Sequence, residues 1–137
     1  MDNEFQRRLE IAPSFARLAC DELTTLIVGE FGGASYIKTI YLGFQIDGQM
    51  VAAAYPDPHR LEVALALPEE HEAPGLIDAT HLTWRTMPVA YQLSEVARIP
   101  ELLALAREAA ERVRSGDHHV ELPTERFIRS RLERKKR

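Results

Sequence analysis

Three polar side chains recur at every second position of one stretch of the chain: His81, Thr83 and Arg85. Leu82 and Trp84 alternate with them, so a β-strand would place the polar set on one face and the apolar set on the other. A histidine beside an arginine can bind a carboxylate or a phosphate, the arginine through two parallel hydrogen bonds. The same alternation is required of the solvated face of a half-buried strand, and we favour that interpretation.

Two further basic residues extend this row into a hypothetical cationic pocket. Lys38 and Arg60 fall in the same predicted sheet, Arg60 at the start of a strand. With His81 and Arg85 they would be the ligand-binding residues of a small-molecule-binding or hydrolytic protein that takes an anionic ligand. The motifs GxSxG, GxxxxGK[ST] and GxGxxG do not occur in the sequence, so we predict no catalytic residues and no cofactor.

Two clusters contain residue types that bind metals but lack the spacing that metal ligands usually have. These are EEHE at residues 69–72 and DHH at residues 117–119. Neither has a helical i, i+4 pairing, so we predict solvated loops and no metal site. Cys20 is the only cysteine. It lies within a predicted helix beside Asp21, whose charge opposes a thiolate, so we predict a small buried residue there.

Charge is distributed unevenly along the chain. The net charge of −4 divides into +6 over residues 126–137 and −10 over residues 1–125. This basic tail could contact nucleic-acid phosphates, an anionic membrane or an acidic protein surface, or remain a solubilising chain end. Its basic residues, which we predict as partner or nucleic-acid contacts, are Arg126, Arg129, Arg131, Arg134, Lys135, Lys136 and Arg137.

Composition is that of one soluble domain. Of the 137 residues, 45% are hydrophobic and 28% charged, which is typical of globular proteins. The longest apolar runs fall far short of the roughly 20 residues that span a bilayer, and the N-terminus lacks a signal-peptide pattern. One cysteine suits a reducing compartment, so we predict a cytoplasmic protein. We divide it into an N-terminal extension (1–12), a domain (13–116) and a loop with the basic tail (117–137).

The periodicity predicts helices on either side of a sheet. Apolar residues at three- and four-residue spacing indicate a helix over residues 13–31, ended by Gly32-Gly33, with an earlier short helix within residues 1–11. A last helix begins at Pro100 and ends at Gly116. Between them, two-residue alternation predicts five strands, at about residues 36–46, 49–55, 60–67, 79–85 and 88–94.

These elements predict a two-layer α+β fold, with a five-stranded antiparallel meander packed by an N-terminal and a C-terminal helix. Asp47-Gly48 is typical of a two-residue hairpin turn. A sheet edge left unpaired could pair between subunits, which predicts a homo-oligomer as one alternative. Ten apolar side chains are predicted to face both helices: Leu42, Phe44, Ile46, Leu61, Val63, Leu65, Leu82, Trp84, Val89 and Leu93.

The order of segments is similar to that of a known family. The stretch "YIKTIYLGFQIDGQMVAAAYPDPHRLEVALALP" leads into "THLTWRTMPVAYQLSEVARIPELLALAREAAERV". Over about residues 15–114 this resembles small bacterial domains of unknown function labelled predicted transport proteins. The matching positions are Lys38, Thr39, Phe44, Arg60, Leu93 and the helix from Pro100. The resemblance implies a fold and a bacterial origin rather than a reaction.

A looser resemblance links the chain to small double-wing domains, which also combine a helix, a hairpin meander and a closing helix. Those domains usually carry a charged R-G-K at the first hairpin, where this chain reads "IDGQM". The likeness therefore implies the architecture without DNA binding by that hairpin.

The leading functional hypothesis is a non-enzymatic binding or accessory domain. It would contact a macromolecular partner, either a protein or a nucleic acid, through its sheet face or its basic tail. The alternatives are the cationic pocket for an anionic small molecule and nucleic-acid binding through the tail alone.

Overall fold

Helices open the chain in the computed structural model, which describes residues 3–116. The first is α1 (Glu4–Ile11), and the second is α2 (Ser14–Thr24), which continues into a π-helical segment, Thr25–Glu30. Gly32 then reverses the chain with a φ of 68°, a conformation that glycine adopts without steric cost. The short first helix and the helix after Pro13 are therefore confirmed.

Within residues 3–116, six strands form one antiparallel sheet. They are β1 (Ala34–Lys38), β2 (Tyr41–Ile46), β3 (Gln49–Pro56), β4 (Leu61–Leu65), β5 (Leu76–Asp78) and β6 (Val89–Leu93). Their order across the sheet is β1-β2-β3-β4-β6-β5, so β6 lies between β4 and β5. The last helix, α3 (Ile99–Ser115), ends at Gly116 in the left-handed conformation, as predicted.

The register assigns each side chain to one of two faces. Ala54 lies opposite Val63, and Val63 lies opposite Tyr91, so these three point to the same side of the sheet. The hydroxyl of Tyr91 donates to Glu101 of α3 at 2.8 Å, which identifies this side as the α3 face. Tyr55 follows Ala54 and points to the opposite side, which we call the aromatic face.

The α3 face carries the main core. α3 packs across β2, β3, β4 and β6, and α2 lies beside it. Seven of the ten predicted core residues are buried: Phe44, Ile46, Leu61, Val63, Leu65, Val89 and Leu93. The other three, Leu42, Leu82 and Trp84, are only partly buried. The α+β class and its helix-covered antiparallel sheet are thus confirmed.

Two strand predictions are wrong. The run at residues 36–46 is a hairpin, because Thr39 has a φ of 49° and turns the chain between β1 and β2. Residues 79–85 form no strand; they contain a 3-10 turn at Thr80–Leu82, and Thr83 has a φ of 60°. The sheet therefore has six strands rather than five, and its last two are out of meander order.

Trp84 consequently lies on the other side of the sheet from the one predicted. Its indole Nε1–H donates to the Tyr55 hydroxyl at 2.7 Å, and Tyr55 points away from α3. The prediction that Trp84 faces the helices is wrong, because it assumed a continuous strand through a segment that turns at Thr83.

Cys20 is buried, as predicted. Within residues 3–116, no helix has the length and apolar character needed to cross a bilayer. The DHH cluster and the basic tail lie outside the described residues.

Candidate functional site

A row of polar and aromatic side chains crosses the aromatic face. Strand pairing aligns Lys38 with Tyr41, Tyr55 with Glu62, and Glu62 with Gln92. Tyr41 precedes Leu42, which lies opposite Ala54, so Tyr41 and Tyr55 are neighbours across β2 and β3. Their ring centroids are 5.3 Å apart. The row therefore spans five strands, with an exposed lysine at its β1 end.

Four aromatic rings form the centre of this surface, and we call them the aromatic cluster: Tyr36, Tyr41, Tyr55 and Trp84. The rings of Tyr41 and Trp84 meet edge to face, with centroids 5.3 Å apart. Edge-to-face contacts of this kind stabilise aromatic pairs beyond their buried area. Each ring is half-buried, so the cluster is anchored in the fold and still reaches solvent.

The polar atoms of the cluster are joined by hydrogen bonds. The Tyr36 hydroxyl donates to the sulfur of Met50 at 3.2 Å and lies 3.2 Å from the Tyr41 hydroxyl. In the Tyr36–Tyr41 pair either hydroxyl can be the donor. Tyr55 accepts from Trp84, which leaves its own O–H available as a donor.

Burial affects the ionisation of two of these hydroxyls, those of Tyr36 and Tyr55. It raises the pKa of Tyr36, and the hydrogen bond with Tyr41 raises that pKa further. Burial also raises the pKa of Tyr55, against the lowering effect of the Trp84 hydrogen bond. Both tyrosines are therefore neutral hydrogen-bonding groups at physiological pH rather than bases.

His81 is held beside the cluster by a carboxylate. Its Nε2 lies 2.5 Å from Glu62 Oε1, and the glutamate side chain is only 14% exposed. The 3-10 turn that presents His81 follows β5, and the carboxylate of Asp78, the last residue of β5, accepts from the Thr80 backbone N–H at 2.6 Å. This hydrogen bond lowers the pKa of Asp78, with a smaller contribution from His81. Glu62 thus contacts the histidine directly, and Asp78 stabilises the turn that carries it.

The predicted ligand-binding residues are spread over this end of the sheet. Lys38 and the Glu62 partner of His81 share the aromatic face but are three strand spacings apart, about 14 Å. Arg60 lies in the turn before β4, where its backbone N–H donates to Asp57 Oδ1 at 2.9 Å. Arg85 is exposed in the β5–β6 connection. The cationic pocket stays a prediction.

The sequence did not point to Glu62, Tyr41 or Tyr55 as members of one surface. Each is a single polar or aromatic residue in an alternating strand, and only the pairing of β2, β3 and β4 aligns them. Tyr91, by contrast, is fully buried on the α3 face.

Within residues 3–116, no three His, Cys, Asp or Glu side chains are grouped closely enough to hold an ion. His71 instead lies 3.6 Å from Glu108 of α3, while Glu69, Glu70 and Glu72 are exposed.

Comparison with protein-family models, curated proteins and solved structures found no match to this chain. The resemblance to the domains labelled predicted transport proteins therefore stays a prediction.

Gly43 makes the position of Tyr36 testable. A Cβ at Gly43 would lie 2.5 Å from the Tyr36 ring, so Gly43→Ala should displace that ring from Met50 and Tyr41. We expect an unfolding free energy lower by about 1–3 kcal/mol and a Tyr36 pKa that falls towards its ordinary value, since burial raises it. Tyrosinate absorbance against pH should then show one more tyrosine ionising at about pH 10 than in the unmodified protein.

Gly29→Ala is the matched control, because a Cβ there meets only Thr25 Cγ2, at 4.0 Å. Its tyrosine titration should match that of the unmodified protein. Identical titrations for both variants would contradict the placement of Tyr36 over Gly43.

Proposed function

We propose that this chain is a non-enzymatic protein-binding domain whose contact surface is the aromatic cluster with Lys38 beside it. The observation that carries the proposal is the half-buried set of four rings on the sheet face away from α3. Tyrosine and tryptophan are enriched in protein interfaces because they offer a large apolar area, little rotamer freedom and one polar atom. Rings already fixed by mutual contacts lose little further entropy on binding.

The chemistry of this surface suits an extended protein segment. Tyr55 O–H is available to a backbone carbonyl, and the exposed ammonium of Lys38 suits an acidic side chain. Other residues of the bound segment, apolar side chains or prolines, would pack against the ring faces of Tyr41 and Trp84, as in aromatic-lined peptide grooves.

Charge favours a protein over a nucleic acid as partner of this surface. Residues 3–116 contain 16 aspartates and glutamates against 10 lysines and arginines. A phosphate backbone is repelled by such a balance, whereas nucleic-acid-binding domains gather basic residues on one face. A role in the cytoplasm, predicted from cysteine usage, is part of the proposal.

Photo-crosslinking in the source cells tests the proposal. A benzophenone amino acid replaces Lys38 in the full chain, and the adducts formed on irradiation are recovered under denaturing conditions. We expect a discrete protein adduct that decreases at least tenfold when Trp84→Ala is added. The matched control places the same photoreactive residue at Arg17, exposed on α2, where that adduct should be absent.

Three outcomes would overturn it: an adduct removed by nuclease, an equal adduct from position 17, or an adduct that survives Trp84→Ala unchanged. The folded state of each variant is checked beforehand by its thermal unfolding.

A further inference from the structure

The C-terminal end of α3 borders an acidic groove. This groove measures about 430 Å³, and its lining includes Leu67, His71, Glu108, Glu111 and Ser115. Ser115 is the last residue of α3, and Gly116 follows it directly. The continuing chain therefore leaves the helix at the wall of the groove.

A second, smaller groove of about 120 Å³ continues from the first. The two share His71, and the second is lined also by Glu69, Asp78, Leu76 and Ile77. Together the two grooves combine carboxylates with apolar side chains.

The larger groove has one arginine, Arg112, against two glutamates, Glu108 and Glu111. Arg112 donates through Nη1 to the backbone carbonyl of Ala66 at 2.8 Å. His71 lies 3.6 Å from Glu108 Oε2. Glu111, Glu69 and Asp78 complete an acidic excess along the paired grooves.

We infer that the paired grooves bind residues 126–137 of the same chain. That segment holds seven basic residues and one acidic residue, with Phe127, Ile128 and Leu132 among them. Its charge complements the groove carboxylates, and its apolar side chains complement the partly exposed Leu76 and Ile77.

The tether makes this binding favourable. Nine residues, 117–125, separate Gly116 from the segment. Fully extended, they reach about 30 Å, enough to cover both grooves. A tether this short holds the segment at an effective concentration of the order of millimolar, so even weak ion pairing suffices for occupancy.

Paramagnetic relaxation in the full chain tests the inference. A nitroxide is attached at Ser130→Cys, since the native Cys20 is buried. We expect the amide signals of His71, Glu108 and Glu111 to lose at least half their intensity. Those of Lys38 and Tyr41, at the far end of the sheet from Leu67, should be unaffected.

Charge reversal separates specific binding from chance proximity. The double variant Glu108→Lys/Glu111→Lys should restore the lost intensity, because both side chains are exposed groove residues. The matched control, Glu22→Lys/Glu95→Lys, reverses two exposed acids near the other end of α3 and should restore none.

Unchanged groove signals, or equal restoration by both double variants, would overturn the inference. So would broadening that arises only between molecules, measured by mixing spin-labelled and isotope-labelled chains. The experiment is independent of the proposed partner surface, because it measures amide signals near the grooves and involves neither crosslinking from position 38 nor a change at Trp84.

Discussion

Replacement of Phe44 by alanine is expected to lower the free energy of unfolding by about 3–5 kcal/mol. Phe44 is fully buried at the centre of the α3 face, where Ala52 lies opposite it on β3. Small neighbours of this kind cannot collapse into the space of a lost ring, so the cavity persists. Denaturant titration followed by Trp84 fluorescence measures the change, since the chain has one tryptophan.

Phe31→Ala is the matched control for Phe44. Phe31 is half-buried, and the guanidinium groups of Arg107 and Arg114 lie 5.8 and 4.9 Å from its ring centroid. Loss of these partly solvated contacts should lower the free energy of unfolding by about 1 kcal/mol. Equal losses in the two variants would show that Phe44 is not in a closed core.

Alkaline pH should destabilise the protein through Cys20. Burial raises the pKa of its thiol from 9.0 to about 12, with a further contribution from the charge of Asp21. The unfolded chain then releases the thiol proton at lower pH than the folded chain does. This thiol therefore leaves the free energy of unfolding unchanged below about pH 9. Between about pH 9 and pH 11 the free energy of unfolding should fall by roughly 3 kcal/mol.

The variant Cys20→Ala removes this titration while keeping a small apolar residue. Its unfolding free energy should stay level until about pH 10, where ionisation of tyrosines in the unfolded chain begins to compete. Burial raises the pKa of Tyr91 to about 12 in the folded protein. The unfolding free energy is therefore expected to decline above about pH 10 in both the variant and the unmodified protein. Parallel stability curves from pH 8 to pH 10 would argue against a buried thiol.

Helices and the obvious hairpin were predictable because their signals are local. Pro13 and Gly116 mark helix ends through backbone preferences that need no tertiary contact. Asp47 and Gly48 have φ values of 50° and 78°. Asp-Gly is a dipeptide favoured in two-residue hairpin turns because both central residues there need positive φ.

The turn between β1 and β2 was not predictable from the same rules. Thr39 occupies the left-handed region although threonine is branched at Cβ, and the alternation of apolar residues continues through it. Pairing of Lys38 with Tyr41, together with the Tyr36 ring over Gly43, is a tertiary arrangement that favours this turn.

The aromatic cluster could not be predicted from the sequence either, because it also depends on a turn that interrupts the alternation. Alternation correctly indicated that His81 and Arg85 are exposed, yet it assigned Trp84 to the α3 face. The positive φ of Thr83 breaks the two-residue period, and strand order then brings Trp84 to Tyr55, 29 residues away in the chain. Residues separated by this distance meet only through sheet topology.

The arrangement of Trp84 is the point on which the proposed binding surface depends, and nuclear Overhauser contacts measure it directly. The single indole should show contacts to the rings of Tyr41 and Tyr55, since its Nε1 is 2.7 Å from the Tyr55 hydroxyl oxygen. Contacts from Trp84 to Leu102 or Leu105 of α3 would instead place it on the α3 face and contradict the account.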